Sequence, residues 1–172
     1  MSTQLFNFLS HQVTTGPYTD QKFGLIDPEE GIAQVDLVTP QNWLATVTNN
    51  KQLDIYLTPI DGGVIASGDL PGQARCDAML TTEQSLTLVE LKDRSPKKSE
   101  WRAEGIKQLA STISLLRQFH SDAELERFKN KSAYLSNKQK PYFPFSLKDD
   151  MAQFYKTHGF KLLIQAEITI NK

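Results

Sequence analysis

The stretch 86–92, Leu-Thr-Leu-Val-Glu-Leu-Lys, constrains the fold of this chain more than any other segment. In an extended strand alternate residues share a face, so apolar side chains occur on both faces of this stretch. A strand that is apolar on both faces is usually covered on both sides, as an internal strand of a sheet. Glu90 and Lys92 therefore place charges at the end of an internal strand, which makes them candidates for a functional site.

A second predicted strand, 74–80, precedes this one across a short turn. If the hairpin turns about Glu83-Gln84, the numbers of opposed residues sum to 167, and Asp77 lies opposite Glu90. Opposed residues project from the same face with their Cβ atoms about 5 Å apart, and Lys92, two residues past Glu90, shares that face. A slip of one residue would move one carboxylate to the other face.

Two carboxylates beside an amine are suited to the cleavage of phosphodiester bonds. Carboxylate oxygens are natural ligands of Mg²⁺ or Mn²⁺, which neutralise the charge on the phosphoryl oxygens, so Asp77 and Glu90 are the candidate metal ligands. Lys92 would orient or activate the attacking water and stabilise the transition state. Without a cation the two carboxylates would repel each other, and one pKa would rise. The alternative interpretation is an ordinary hairpin whose solvent-facing side carries charges.

Asp77, followed thirteen residues later by Glu90-Leu91-Lys92, resembles the D…(D/E)-X-K signature of the PD-(D/E)XK nuclease superfamily. The order of predicted elements is similar as well, and the resemblance covers roughly residues 70–137. It implies a restriction-endonuclease-like fold, a Mg²⁺ or Mn²⁺ cofactor, and cleavage of DNA, less often RNA. It also implies that a glutamine of the next helix supports the site, for which Gln108 is the candidate; an exposed position beside the buried stripe is the alternative.

Two features depart from the superfamily pattern. Cys76 precedes Asp77, where the name of the superfamily has a proline. Many members also place an acidic residue on an N-terminal helix, and the nearest candidates here are Glu29 and Glu30. The segment 27–31 is as typical of a turn as of a helix start, so neither residue is assigned that role.

The remaining sequence predicts an α/β (α+β) domain, a mixed sheet flanked by helices. We expect one domain over 1–172, with a β-rich part at 1–70 and the motif-bearing part at 71–172. The apolar stripe of Ile106, Leu109, Ile113 and Leu116 predicts a helix from about Ser99 to Phe119, and Ser121 to Glu124 match a capping box. Further strands are predicted at 34–39, 43–48, 53–58, 132–136 and 160–170, and a further helix at 147–158.

Charge is unevenly distributed along the chain. Residues 1–90 hold three basic and eleven acidic side chains, whereas residues 91–140 hold twelve basic and six acidic ones. Lys97, Lys98, Arg102 and Lys107 follow the motif directly, so they are predicted to contact a nucleic-acid backbone. The solvated start of a helix is the alternative reading of these charges.

Cys76 is the single cysteine, so no internal disulfide can form, and we expect a reducing, cytoplasmic setting. No run approaches the roughly 18 apolar residues of a membrane helix, so no membrane partner is expected. The chain has no obvious sequence-reading module, and targeting is expected from self-association or a protein partner. By analogy with the superfamily that it resembles, this partner is expected to be a translocating ATPase or a defence-system component. The rival hypothesis is a non-catalytic scaffold that presents segments 94–107 and 138–145 to a protein partner.

Overall fold

The computed structural model describes residues 6–95, 100–139 and 148–171. Within them lie ten strands, three α-helices and one short 3-10 helix at Pro40–Asn42. The strands are β1 Thr15–Tyr18, β2 Lys22–Ile26, β3 Gln34–Asp36, β4 Ala45–Thr48, β5 Ile55–Pro59, β6 Ala78–Thr81, β7 Ser85–Lys92, β8 Asn130–Asn137, β9 Lys161–Ile164 and β10 Glu167–Thr169. The helices are α1 Glu100–Phe119, α2 Asp122–Glu126 and α3 Lys148–His158. The α+β class predicted from the sequence is confirmed.

The larger sheet has six strands in the order β1-β5-β6-β7-β8-β9. Its first four strands pair antiparallel, whereas β7, β8 and β9 are parallel. Parallel neighbouring strands need a crossover connection. The connection from β7 to β8 contains α1 and α2, and the connection from β8 to β9 contains α3. The longest pairing joins β7 and β8 over eight residues each, so β7 lies inside a mixed sheet.

The smaller sheet has the order β10-β4-β2-β3, with β10 parallel to β4. The prediction of one long strand over 160–170 is wrong, because the chain leaves the larger sheet after β9 and joins the smaller one as β10. Gln165, between the two strands, has its carbonyl oxygen held by the Ser136 hydroxyl at 3.0 Å. The sequence does not predict strands β1 and β2, because residues 1–20 are poorly patterned and no strand is predicted at 22–26.

Two apolar cores cover the two faces of the larger sheet. One packs α1, α3 and the N-terminal Phe6 and Phe8 against one face. The other packs the smaller sheet, through residues such as Phe23 and Val47, against the opposite face. All eight residues of β7 are buried, which confirms that it is an internal strand covered on both sides. None of the described helices combines the length and apolar character needed to cross a membrane.

The helical predictions in the second half of the chain are confirmed with small shifts in bounds. Helix α1 ends at Phe119, and the capping box is formed by Ser121 and Glu124, whose side chains each bond the other's backbone N–H. The predicted phosphate contacts Lys97 and Lys98 lie outside the described residues. So do residues 140–145 of the segment 138–145.

Candidate active site on the central hairpin

The turn between β6 and β7 is fixed by its own side chains. The Thr82 hydroxyl accepts hydrogen bonds from the backbone N–H groups of Gln84 and Ser85, at 3.3 and 3.0 Å. The Thr82 N–H in turn donates to the Ser85 carbonyl oxygen at 3.0 Å. A tight turn of this kind specifies the strand register.

The observed register is the predicted one. Ala78 pairs with Val89, and Thr81 with Leu86, so opposed numbers sum to 167. Asp77 and Glu90 are the next opposed positions, immediately beyond the last recorded pair. The Asp77 Oδ2 atom accepts a hydrogen bond of 2.7 Å from the Leu91 N–H, and its carbonyl accepts one of 2.8 Å from the Ile60 N–H. Asp77 is thereby held against the end of β7.

Lys92 joins the other predicted site residues. Its Nζ lies 2.7 Å from Glu90 Oε1 and donates a hydrogen bond of 2.9 Å to Gln108 Oε1. Gln108 is oriented from its other end, because its Nε2 donates to the Arg75 carbonyl oxygen at 3.3 Å. The structure therefore brings Asp77, Glu90, Lys92 and Gln108 to one point, where the hairpin meets α1.

Helix α1 approaches the sheet closely at this point. A Cβ on Gly105 would stand 2.4 Å from Leu135 Cδ1, so only glycine allows this separation between helix and strand. Two turns further along the helix, the buried Thr112 hydroxyl donates to the Gln108 carbonyl and accepts from the Cys76 N–H, both at 2.8 Å. These contacts set the depth at which Gln108 reaches Lys92.

Burial dominates the electrostatics of the carboxylates. It raises the pKa of Asp77 from 3.8 to about 7, with the charges of Asp27 and Asp61 adding to the rise and the Leu91 N–H and Lys92 opposing it. Burial, followed by the charge of Asp77, also raises the pKa of Glu90 well above its ordinary value, against the effect of Lys92. Both shifts favour protonated carboxyl groups when no cation is bound.

The Glu90 carboxylate is only half satisfied. Its Oε1 is paired with Lys92, whereas its Oε2 is buried and has no hydrogen-bond partner among the described residues. Buried polar atoms are nearly always paired, and an exception needs an explanation such as a missing ion or water. The Oε2 atom, beside the charge of Asp77, is therefore a position where a proton, a water or a cation would complete the site.

No three Asp, Glu, His or Cys side chains in the described part of the chain are grouped closely enough to hold a metal ion alone. This donor set nevertheless suits Mg²⁺, which keeps several waters and is usually bound through one or two carboxylates plus substrate phosphate oxygens. Asp77 and Glu90 match that requirement. Structural Zn²⁺ sites, by contrast, are built from four cysteine or histidine ligands.

Three nearby charged residues were missed by the sequence reasoning. Asp27 follows β2, and partial desolvation, then the charge of Asp61, raise its pKa while Lys92 lowers it. Asp61 forms an ion pair of 2.8 Å with Arg75. Glu104, on α1, lies 3.7 Å from Lys92 Nζ. Asp27 and Asp61 come from segments that no local pattern connects to the motif, but Glu104 was detectable, since it precedes Gln108 by four residues on the same helix face.

No protein-family model matches this chain, and neither a curated protein nor a solved structure shows a significant match to it. What the chain does is accordingly inferred from the geometry and chemistry of its own residues.

Of the predicted phosphate contacts, two can be placed. Arg102 is half-buried and Lys107 is exposed, both on the first two turns of α1. Lys107 directly precedes Gln108, which reaches the site from the same helix. Both positions therefore lie on the helix that borders the site.

Proposed function

We propose that this protein is a Mg²⁺- or Mn²⁺-dependent nuclease with a restriction-endonuclease-like fold, acting on DNA in preference to RNA. The observation that carries the proposal is the buried carboxylate of Glu90. It has one oxygen on Lys92, one oxygen without a partner in the described part of the chain, and Asp77 as its like-charged neighbour. A pair of this kind is unfavourable unless a cation, or a proton, joins it.

The surrounding fold supports the proposal. An antiparallel hairpin carries the acidic residues, a long helix follows it, and the next strand, β8, pairs parallel to β7. This is the order of elements expected from the resemblance to the PD-(D/E)XK nucleases. The smaller sheet is an addition on the face of the larger sheet that lies away from α1.

Each residue then has a chemical role in hydrolysis. Asp77 and Glu90 would hold the divalent cation, which supplies neutralisation of phosphoryl charge and a more acidic water when it is bound. Lys92 is fixed by Gln108, so its ammonium can donate to a non-bridging phosphate oxygen or orient the attacking water. Gln108 is a positioning residue, because its contacts are with Lys92 and the Arg75 backbone.

The proposal is tested by incubating the purified protein with supercoiled plasmid, single-stranded DNA and RNA, each with Mg²⁺, Mn²⁺ or EDTA. We expect metal-dependent cleavage that Asp77→Asn and Lys92→Met each reduce by at least about 100-fold, since each removes a group required in the transition state. Asp54→Asn is the matched control, because Asp54 is exposed and lies next to the turn end of the hairpin.

Equal activity in wild type and all three variants would mean that the cleavage comes from a contaminant. An absence of cleavage with every substrate and metal, alone and with a co-purifying partner, would overturn the nuclease proposal in favour of a scaffold role.

Substrate contact is tested separately in the Asp77→Asn background. There, Lys107→Ala should weaken DNA binding and lower its salt dependence by about one phosphate contact.

A further inference from the structure

Lys92 has a second carboxylate within reach besides that of Glu90. Its ammonium lies 2.7 Å from Glu90 Oε1 and 3.7 Å from Glu104 Oε1, which is beyond a hydrogen bond but within an ion pair. The two carboxylates differ in environment, since the Glu90 side chain is 2% exposed and that of Glu104 is 58% exposed. Lys92 thus stands between a buried anion and one that reaches solvent.

A divalent cation and the Lys92 ammonium would compete for Glu90. Both are positive, and in a buried site two cations on one carboxylate repel each other strongly. The free Glu90 Oε2 offers the first point of attachment, and full coordination weakens the hold of Oε1 on Lys92. Glu104 and Gln108, four residues apart on one face of α1, are already placed to keep the ammonium.

Glu104 also contributes to a charge balance at the site. Asp77, Glu90 and Glu104 are negative and Lys92 is positive when all are ionised, which leaves a net charge of −2 that one divalent cation neutralises. Without Glu104 the same set plus the cation would carry a charge of +1, which is unfavourable beside the buried strand unless Asp27, whose charge also acts on Asp77, offsets it.

We propose that Glu104 is a positioning residue that receives the Lys92 ammonium when a divalent cation takes its place on Glu90. The inference rests on the proposed metal-dependent function and assigns Glu104 a role in it. Lys92 remains bonded to Gln108 throughout, and only its carboxylate partner changes. The exchange would move the ammonium from the buried carboxylate of Glu90 toward the exposed carboxylate of Glu104.

The experiment is Mn²⁺ titration by calorimetry on the full chain, in wild type and in Glu104→Gln, Lys92→Met and the double variant. Glu104→Gln should weaken Mn²⁺ binding about fivefold, the scale of a partly exposed ion pair. In the Lys92→Met background the same change should have little effect, because Glu104 acts through Lys92. Glu100→Gln, one turn earlier on α1, removes the same charge and should bind Mn²⁺ as wild type does.

A crystal structure with Mn²⁺ gives a second measurement, in which Lys92 Nζ should lie within hydrogen-bond distance of Glu104 and no longer of Glu90. Equal Mn²⁺ affinities in wild type and Glu104→Gln, additive effects in the double variant, or Lys92 still on Glu90 would each overturn the inference. If the protein cleaves DNA but Glu104→Gln binds Mn²⁺ as tightly as wild type does, this inference alone is refuted. Mn²⁺ binding with the expected coupling but no cleavage refutes the nuclease, and no Mn²⁺ binding refutes both.

Discussion

The substitution Asp77→Asn should change how the stability of the protein depends on pH. Because burial raises the pKa of Asp77 from 3.8 to about 7, the folded state retains a proton that the unfolded state has already released between these values. The contribution of Asp77 to stability is therefore fully present below pH 3.8 and is lost as pH rises through about 7. Asparagine carries no such proton, and its side-chain oxygen can still accept the Leu91 N–H.

The size of the effect follows from the same pKa. Each tenfold difference in proton affinity between folded and unfolded states is worth about 1.4 kcal/mol, so a rise from 3.8 to about 7 corresponds to about 4 kcal/mol. Asp77 is partly accessible, and solvent screening reduces this figure. We therefore expect Asp77→Asn to be more stable than wild type by about 2 kcal/mol at pH 8, with the difference much smaller at pH 5.

The measurement is urea unfolding at pH 5, 6, 7 and 8 in EDTA, followed by tryptophan fluorescence. Asp54→Asn serves as the control, since it removes an exposed carboxylate and should run parallel to wild type. Addition of Mg²⁺ at pH 8 should stabilise wild type and leave Asp77→Asn unchanged, because ligand binding to the folded state adds to stability. Wild type and Asp77→Asn curves that stay parallel across pH would refute the claim that Asp77 is desolvated beside other carboxylates.

Three further substitutions test the supports of the site. Lys92→Met leaves Glu90 without its ammonium and should lower the free energy of unfolding by about 3 kcal/mol at pH 8. The decrease should be smaller at pH 5, because the raised pKa of Glu90 lets its carboxylate take up a proton. Equal decreases at the two pH values in urea unfolding would contradict this reasoning. Gly105→Ala forces a methyl group against Leu135 and should destabilise by about 1–3 kcal/mol, while Gly31→Ala, with its nearest neighbour at 3.7 Å, should leave the melting temperature unchanged. Thr112→Val leaves the buried Cys76 N–H without an acceptor and should cost about 1–3 kcal/mol in thermal unfolding, whereas Thr112→Ser should restore most of it.

The central hairpin was predictable because its register depends on a short local turn. A turn of three residues between β6 and β7 fixes which residues are opposed, so the pairing that places Asp77 beside Glu90 follows from the sequence alone. Helices α1 and α2 were predictable for the same reason, because the apolar stripe of α1 and the capping box of α2 are patterns of residues close together in the sequence.

Long-range pairing is what the sequence did not reveal. The segment 160–170 has the local pattern of one strand, but its halves belong to different sheets, because β10 pairs with β4 from residues more than a hundred positions earlier. Asp27 is another case, since its position depends on β2, a strand recognisable only once its partners β3 and β4 are in place. Local periodicity carries no information on such partners.

The smaller sheet gives no side chain to the proposed hydrolysis, yet it lies directly behind the strand that carries Glu90 and Lys92. Val89 and Leu91, which alternate with those two residues, are packed in the core it closes. Shortening the protein to its motif-bearing half would expose that hydrophobic surface to solvent and destabilise the backbone that carries Glu90 and Lys92. A shortened variant should therefore keep residues 22–48, and substitutions at their inward-facing positions would adjust the backbone of the candidate site from behind without changing its own side chains.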